Sequence, residues 1–348
     1  MTDHPASTNS SASIGDVAET ARRDTAPPTA AIAPAVAMVA EDLDAVEIKL
    51  AELLQSSIAV IPQVGGHLTF AGGKRLRPML SLLCARASGY VADHRVTVAA
   101  VGELLHTATL LHDDVIDRGE WRRGRPAARL PYGNGMAVLT GDYCLARGLL
   151  AVADIGELAA VRSMAETVTR MAEGEIAQLH SAGDWRLEEA TYYMVIERKT
   201  AALLAWCSSV AGLPAHVAPE LFEYGLELGF AFQIADDVLD YAGGEALGKA
   251  SGQDLREGKA TLPLILAAED DRELRTTLRT LLEGGPPADD ELVADIRRRV
   301  LASDGLEQAL NRARVHADNA ASKLAVLAPS RAKTALEALT QYVVERSY

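Results

Sequence analysis

Residues 97–117 read TVAAVGELLHTATLLHDDVID, and this stretch decides how the fold is interpreted. Apolar residues cover nearly every face of the helix that such a run predicts, so we expect a helix at the centre of the protein. The stretch ends in three aspartates, Asp113, Asp114 and Asp117. Because buried carboxylates are costly unless they are paired, positively charged groups are expected to meet them.

A second stretch has the same design. Residues 230–241 read FAFQIADDVLDY and place Asp236, Asp237 and Asp240 in another strongly apolar helix. In the shared pattern D-D-x-x-D, the first and last aspartates lie about 40° apart around a helix, so each cluster is a compact carboxylate patch. Such oxygen ligands suit Mg²⁺, which commonly bridges one or two carboxylates to substrate phosphates. One cluster alone would be typical of a solvated helix end, but two in apolar helices are not.

The rest of the chain predicts an all-α fold. From about residue 41, apolar residues recur at spacings of three and four, which indicates amphipathic helices. Prolines are absent from residues 132–213, 220–262 and 288–328, where long helices therefore fit. Alternating strand patterns with hairpin turns are not evident.

Composition separates an extension from the fold and excludes several functions. Residues 1–40 contain 11 Ala, 5 Thr, 4 Ser and 4 Pro, which predicts a disordered low-complexity extension before a single domain at 41–348. The net charge of −14 argues against nucleic-acid binding and against a polybasic membrane patch. No membrane span is expected. The three widely spaced cysteines predict buried free thiols and a cytoplasmic location.

The scarce lysines indicate what the carboxylates bind. Only seven lysines occur, and Lys74, Lys199, Lys249 and Lys259 stand in distinctive settings, three of them directly after a glycine. Glycine permits close backbone approach, and lysine supplies a mobile charge for phosphate. The pair Arg122-Arg123 adds planar groups suited to phosphate oxygens. Metal-binding carboxylates combined with these cations predict two polyanionic substrates.

These motifs together resemble the trans-isoprenyl diphosphate synthases, the polyprenyl synthetase family. The matching segments are GKRLRP at 73–78, HTATLLHDDVID at 106–117, RRG at 122–124, KT at 199–200, FQIADDVLD at 232–240, GK at 248–249 and GKATLP at 258–263. Their order and spacing agree with the family from about residue 45 to the C-terminus. The resemblance is greatest to the long-chain all-trans polyprenyl diphosphate synthases.

The resemblance implies a fold, a reaction and a set of site residues. The fold is an isoprenoid-synthase helical bundle around a deep central cavity, usually in a homodimer. The reaction is a Mg²⁺-dependent head-to-tail condensation of isopentenyl diphosphate with an allylic diphosphate, with several ions per site. Asp113, Asp117 and Asp236 would be the leading metal ligands, with Asp114, Asp237 and Asp240 supporting them. By the same resemblance, Arg122, Lys199, Lys249 and Lys259 would hold the allylic diphosphate; Lys74, Arg77, His106 and Arg123 would hold isopentenyl diphosphate; and Thr200 and Gln233 would line the reacting carbons.

Product length is inferred from residues upstream of the first cluster. Ala108 and Thr109, which face the growing chain in the family, are not aromatic, so we expect products longer than C20, about C30–C50. Met164 is a candidate for the tunnel floor.

Four further residues lie near these motifs. His112 and His180 are interpreted as structural, and Arg75 is interpreted as a salt-bridge partner. Gln178 either reaches the site or lies outside it.

Other functions fit the sequence less well. A geranylgeranyl or farnesyl diphosphate synthase would differ only in product length. A class I terpene cyclase would normally lack the second aspartate cluster and the isopentenyl-site residues Lys74 and Arg77. A regulatory subunit of a heteromeric synthase typically loses its aspartates, whereas a catalytic subunit that needs a partner would keep them.

Overall fold

The structure is a computed structural model, and it describes residues 32–89, 93–184, 186, 188–210, 217–242, 252–269, 271–284 and 289–345 of the 348-residue chain. Most of these residues are helical, and the predicted all-α class is confirmed. The α-helices are α1 Ala33–Met38, α2 Ala40–Leu53, α3 Val60–Thr69, α4 Leu76–Ala87, α5 Arg95–Ile116, α6 Arg129–Tyr132, α7 Asn134–Ala153, α8 Leu158–Ser181, α9 Glu189–Ile196, α10 Ala202–Val210, α11 Ala218–Ala242, α12 Gln253–Arg256, α13 Leu262–Ala268, α14 Arg272–Gly284, α15 Asp290–Ala302, α16 Gly305–Lys323 and α17 Arg331–Glu345.

Three short elements interrupt the helices. A π-helix, Glu197–Ala201, lies between α9 and α10, and a 3₁₀ turn, Leu324–Val326, follows α16. Two antiparallel strands, β1 Trp121–Arg122 and β2 Arg125–Pro126, form a small hairpin directly after the first aspartate cluster. The sequence pattern did not indicate this hairpin, because two residues per strand are too few for an alternation to show.

Helix α5 is the centre of the bundle, as its sequence predicts. It spans 22 residues, about 33 Å at 1.5 Å per residue, and packs against α2, α4 and α7. Its buried residues lie all around the helix and include two carboxylates, Glu103 and Asp114. The fold therefore carries ionisable groups into the core along this one helix.

Helix α11 carries the second cluster and approaches the π-helix at backbone contact. A Cβ atom on Gly229 would lie 2.4 Å from Cα of Ala201, a distance that only glycine permits. Four residues further along α11, Gln233 then meets Thr200 of the π-helix. The small residue in α11 thus determines how the second cluster faces the π-helix.

The predicted domain boundary at residue 40 needs a correction. Helix α1 begins at Ala33, and Ile32, Ala35 and Val39 are buried in the main core against α4 and α17. The alanine-rich composition suggested disorder, but small side chains also allow close helix packing. The ordered domain starts no later than Ile32, and residues 1–31 lie outside the described residues.

One helix differs from the expectation that no segment could span a membrane. By length and composition alone α7 could cross a bilayer. It also carries Asp142 and Arg147, and one third of its most apolar window is buried within this chain. Length and composition do not distinguish a membrane span from an interface or core helix, and α7 packs closely along α5.

Candidate active site

The first aspartate cluster lies at the carboxyl end of α5, where the helix dipole disfavours negative charge. Asp114 is fully buried, and Arg122 of the β-hairpin donates a 2.9 Å hydrogen bond from Nε to its Oδ1. The other oxygen, Oδ2, is buried without a hydrogen-bond partner among the described residues. Burial raises the pKa of Asp113 to about 6, against the charge of Lys199 and assisted by those of Glu175 and Asp117. The cluster therefore has unused capacity for a cation.

The second cluster is organised by hydrogen bonds within the protein. Asp237 is buried and accepts from Oη of Tyr192 at 2.7 Å and from Nε2 of Gln233 at 2.8 Å. Asp240 accepts from the backbone N–H groups of Gln253 at 3.1 Å and Asp254 at 3.3 Å, and so anchors α12. Both residues thus hold neighbouring elements in place, and their predicted role as supporting metal ligands stays a prediction.

Two of the predicted lysines lie against the first cluster. Nζ of Lys259 is 3.4 Å from Oδ2 of Asp117 and also contacts Glu257. Burial lowers the pKa of Lys259, but the charges of Glu257 and Asp117 raise it by more than burial lowers it. The pKa therefore lies above its usual value, and the ammonium stays protonated. Nζ of Lys199 lies 3.9 Å from Asp113 and 2.5 Å from Oε2 of Glu175.

Lys259 also connects the two clusters electrostatically. Its charge acts on Asp254, whose pKa is raised to about 7 by burial and by Asp240, with Lys259 opposing the shift. Asp254 is bonded to the second cluster through its backbone N–H, which donates to Asp240. Asp117, the other partner of Lys259, belongs to the first cluster. Cations and carboxylates of both clusters therefore face one another across one site.

The π-helix presents Lys199 and Thr200 side by side. Such local widenings of a helix occur frequently at functional sites. Oγ1 of Thr200 donates a 2.8 Å hydrogen bond to Oε1 of Gln233, whose amide nitrogen donates in turn to Asp237. The predicted pair Thr200 and Gln233 is thus brought together and fixed by the second cluster.

The predicted isopentenyl diphosphate residues converge around the N-terminus of α4. Nε of Arg77 is buried without a hydrogen-bond partner among the described residues. Burial, followed by the charges of Arg77 and Arg123, holds the pKa of His106 well below its usual range, so its imidazole is neutral at pH 7. Lys74 donates a 2.7 Å hydrogen bond from Nζ to Oη of Tyr342 in α17.

Arg75 and Arg123 are held by protein groups. Arg75, at φ 47°, forms ion pairs with Glu47 at 2.5 Å and with Glu103 at 3.1 Å, which confirms its predicted role as a salt-bridge partner. Nη1 of Arg123 donates to the carbonyl oxygens of Leu68 and Gly72 at 3.2 and 3.0 Å.

A cavity of about 190 Å³ opens beside Lys199 and Lys259. Gln178 lines it, so this residue does reach the site. Its apolar wall comes from Val195, Ile196 and Ile265. The tunnel candidates Ala108, Thr109 and Met164 do not line this cavity.

The tunnel candidates lie in α5 and α8, away from the lining of this cavity. Ala108 is buried in α5, and Thr109 donates a 2.8 Å hydrogen bond to the carbonyl oxygen of His106. Met164 is buried where α5, α7 and α8 meet: a Cβ atom on Gly148 would lie 3.3 Å from its Cε and 3.4 Å from a methyl of Val101. Val101 precedes Asp113 by 12 residues, about 18 Å along the helix axis.

Two other predicted residues have simpler outcomes. Nε2 of His112 lies 3.2 Å from the carbonyl oxygen of Val138 and 3.2 Å from Asp142, so it links α5 to α7, as a structural histidine would. Lys249 lies outside the described residues, and its predicted role stays a prediction.

Several carboxylates of the site were missed by sequence reasoning. Each was visible as a charged residue in a marked context: Glu103 lies in the apolar run of α5, Glu175 follows a glycine in α8, and Asp254 and Glu257 precede Lys259. Buried charges require partners, and this signal could have indicated Glu103. For the others, the partner became clear only from helix packing.

The donor set fits a divalent cation that is shared with phosphate. Among the described residues, no three carboxylate, imidazole or thiol groups already converge into a complete cage. Mg²⁺ does not require one, because it is usually held by one or two carboxylates and completed by phosphate and water. Oδ2 of Asp114 and Oε1 of Glu175, which are buried without hydrogen-bond partners among the described residues, are free to contribute to such ligation.

Comparisons with known proteins place the chain in a family. The family model described as polyprenyl synthetase matches residues 58–300. The octaprenyl diphosphate synthase of Escherichia coli (strain K12) is 40% identical over 315 residues, 89% of this chain and 97% of that protein. Heptaprenyl diphosphate synthase component 2 of Geobacillus stearothermophilus is 35% identical over 315 residues, with the same coverages. The crystal structure of polyprenyl synthase from Caulobacter crescentus CB15, complexed with calcium and isoprenyl diphosphate, is 37% identical with a TM-score of 0.86, and the match covers 90% of this chain and 98% of that one.

Proposed function

Because this chain belongs to the polyprenyl synthetase family, we propose that it condenses isopentenyl diphosphate head-to-tail with an allylic diphosphate. The product is an all-trans polyprenyl diphosphate longer than C20, in line with its octaprenyl and heptaprenyl relatives. The observation that carries the proposal is the meeting of Lys199 and Lys259 with Asp113 and Asp117 beside a separate arginine cluster. One site thus has places for two diphosphates.

The allylic diphosphate binds between the two aspartate clusters in this proposal. Lys199 and Lys259 line the cavity and bind its oxygens, and Arg122, oriented by its bond to Asp114, contributes a planar guanidinium. Asp113, Asp117 and Asp236 would hold Mg²⁺, whose charge would neutralise the diphosphate and make it a better leaving group.

Isopentenyl diphosphate binds at the second place. Arg77, Arg123 and Lys74 supply its positive charge, and the buried Nε of Arg77, which has no hydrogen-bond partner among the described residues, supports an anion site here. Neutral His106 donates or accepts one hydrogen bond without adding charge. These preorganised groups need no rearrangement when charge develops.

The carbon–carbon bond forms between the two substrates when both diphosphates are bound side by side. The allylic C–O bond breaks, the isopentenyl double bond attacks the resulting cation, and a proton leaves to the departing diphosphate. Thr200 and Gln233 are fixed by Asp237 next to the reacting carbons. Val195, Ile196 and Ile265 keep water from the cation.

The growing chain extends along α5 past Ala108 and Thr109 towards Met164. Met164 is supported as the floor because it closes the junction of α5, α7 and α8 beside Val101. Neither Ala108 nor Thr109 is large enough to stop a chain earlier.

The exposed face of α7 supports a homodimer. Met136, Leu139, Tyr143, Ala146 and Leu150 follow one another at spacings of three and four, the pattern of a helix–helix seam. Leu139 is 64% exposed and Leu150 51%. Contiguous exposed apolar faces mark interaction sites. We assign a second copy of this chain as the partner that covers the exposed face of α7.

The three buried free cysteines support a reducing cytoplasmic compartment.

A second candidate is favoured by one relative. The Geobacillus protein is named component 2 of its synthase and matches this chain over nearly its full length. This chain would then be the catalytic subunit of a two-component enzyme, since it keeps both aspartate clusters.

One incubation tests these proposals. The purified chain is supplied with Mg²⁺, labelled isopentenyl diphosphate and, separately, geranyl, farnesyl or geranylgeranyl diphosphate, and the dephosphorylated products are separated by chromatography. We expect polyprenols longer than C20. Products ending at C15 or C20 would contradict the proposed length, a cyclic hydrocarbon would indicate a cyclase, and inactivity of a folded dimer would favour the two-component alternative.

A further inference from the structure

We propose that Glu103 is a positioning residue of the isopentenyl diphosphate subsite, where its buried carboxylate holds the guanidinium groups of Arg75 and Arg123 in the arrangement that receives the diphosphate. The inference rests on the proposed function, because it adds a residue to a subsite of that function. Glu103 itself need not touch the substrate, and none of the roles proposed above uses it.

Glu103 is placed where only a paired carboxylate is tolerated. It is 2% exposed and lies in α5, one helical turn before His106. Its Oε1 accepts a 3.1 Å hydrogen bond from Nη1 of Arg75 and lies 3.7 Å from Nη2 of Arg123. Glutamate is almost never fully buried unless it is paired, so this residue has a specific requirement for these arginines.

Arg75 serves as a brace rather than as a ligand. Besides Glu103, it donates to both carboxylate oxygens of Glu47, at 2.5 and 3.0 Å, and to the carbonyl oxygen of Thr69 at 2.8 Å. With these bonds its guanidinium is bound to protein on several sides. Its left-handed backbone fixes the start of α4, which carries Arg77 two residues later.

Arg123 is held from two directions. The carbonyl oxygens of Leu68 and Gly72 accept hydrogen bonds from Nη1, while Glu103 faces Nη2. The backbone at Gly73 lies beside this guanidinium: a Cβ atom there would make an ordinary van der Waals contact, 3.6 Å from Cζ of Arg123. Without the carboxylate, the described residues would offer this guanidinium only neutral carbonyl groups as hydrogen-bond partners.

The charge of Glu103 acts on the whole arginine cluster. Burial lowers the pKa of Arg77 and of Arg123, and the negative charge of Glu103 is the largest influence that opposes this in both. Burial would raise the pKa of Glu103, but Arg75, Arg123 and Arg77 together hold it below its usual value, so it stays ionised. Without the carboxylate of Glu103, the positive charges of Arg77 and Arg123 would repel one another, and water would screen this repulsion poorly because both groups are buried.

Positioning and simple charge predict opposite results. A carboxylate beside a diphosphate subsite repels the substrate, so a purely electrostatic role predicts that a neutral side chain improves binding. A positioning role predicts that binding worsens, because the arginines lose their common anchor. Glu47 provides the matched control, since it pairs with Arg75 but has no contact with Arg123.

The experiment measures binding of isopentenyl diphosphate alone by titration calorimetry, which is possible because no reaction occurs without an allylic primer. The full chain is compared with Glu103→Gln, Glu103→Asp and Glu47→Gln. We expect Glu103→Gln to weaken binding about 10- to 100-fold, the loss seen at metal sites when a residue that orients a ligand is removed. The KM for isopentenyl diphosphate should rise with it, while the KM for the allylic diphosphate stays unchanged. Glu47→Gln should bind close to the wild-type value.

Three outcomes would overturn the inference. These are equal or tighter binding by Glu103→Gln, an equal loss in Glu47→Gln, which would make Arg75 alone responsible, or a loss of affinity for both substrates. If thermal melts show that Glu103→Gln does not fold, Glu103→Asp decides, because it keeps the charge but shortens the reach: weaker binding supports positioning and wild-type binding contradicts it. Failure of the wild-type chain to bind isopentenyl diphosphate would instead reject the proposed function, and this inference with it.

Discussion

Lys199 and Glu175 form a 2.5 Å ion pair between the π-helix and α8. The pair depends on Gly174, where a Cβ atom would lie 2.7 Å from the backbone nitrogen of Lys199. Because Asp113 lies 3.9 Å from the same ammonium, Glu175 shares the lysine with a proposed metal ligand. The charge on Glu175 therefore influences both the lysine and the first aspartate cluster.

This relationship predicts a pH dependence. The pKa of Asp113 is raised to about 6 by burial, with Glu175 contributing to the rise. Protons compete with a metal for this carboxylate, so metal affinity should fall as the pH drops through about 6. In Glu175→Gln one negative charge is lost, the pKa of Asp113 falls, and the acid limb should move to lower pH. The measurement is Mn²⁺ binding followed by the electron paramagnetic resonance of free Mn²⁺. An unmoved limb, or one moved to higher pH, would contradict this.

Loss of the leading carboxylate should remove activity and leave the fold intact. Asp113→Asn keeps the side-chain volume but removes the charge, and we expect kcat/KM to fall by at least about 10²–10³-fold. Asp142→Asn is the control, because this exposed acid of α7 lies outside the site. Steady-state kinetics and thermal melts of both variants test the prediction. Comparable losses in the control would show that the effect is not specific.

Tyr192 should contribute stability through its bond to Asp237. Tyr192→Phe leaves a buried carboxylate oxygen without its 2.7 Å donor, which should lower the free energy of unfolding by about 1–3 kcal/mol. Tyr193→Phe, the neighbour in α9 that is only half-buried, should cost less. Urea denaturation of the metal-free proteins measures both. Equal losses would mean that the Asp237 contact has no special weight.

Product length should change when residues at either end of the proposed tunnel are replaced. Ala108→Phe places a ring in a fully buried position close to the first cluster and should shorten the product. Met164→Ala opens space beside Val101 and Gly148 and should lengthen it. Chromatography of the dephosphorylated products reads out both changes. If neither variant changes the product, the tunnel does not run along this face of α5.

Association through α7 should be sensitive to charge. Leu139→Glu or Leu150→Glu places a carboxylate in the exposed apolar seam and should produce monomers, because an unpaired charge is costly to bury in an interface. Val326→Glu, at an exposed apolar residue of the 3₁₀ turn, is the control and should leave association unchanged. Sedimentation velocity distinguishes the two species. A persistent dimer in both seam variants would place the interface elsewhere.

Much of the site could be predicted because its information is local. The spacing D-D-x-x-D places aspartates on one face of a helix by geometry alone, and apolar residues on all sides of α5 indicate its central position. The alanine-rich residues before position 40 show the limit of composition, which suggested disorder where α1 packs into the core. Small side chains are compatible with a disordered segment and with a closely packed helix. Which of the two forms depends on whether other helices are positioned to pack against the segment.

The helical class, the two aspartate clusters and the residue types that meet phosphate follow from the sequence alone. The long-range partners follow from the packing of the helices: the ion pairs of Glu103 with Arg75 and of Glu175 with Lys199, and the hydrogen bond from Lys74 to Tyr342, 268 residues away. Helical periodicity determines which side chains share a face, whereas the partner of that face depends on how distant helices pack. The close approaches at Gly174 and Gly229, which place Lys199 and Thr200 in the site, result from that packing.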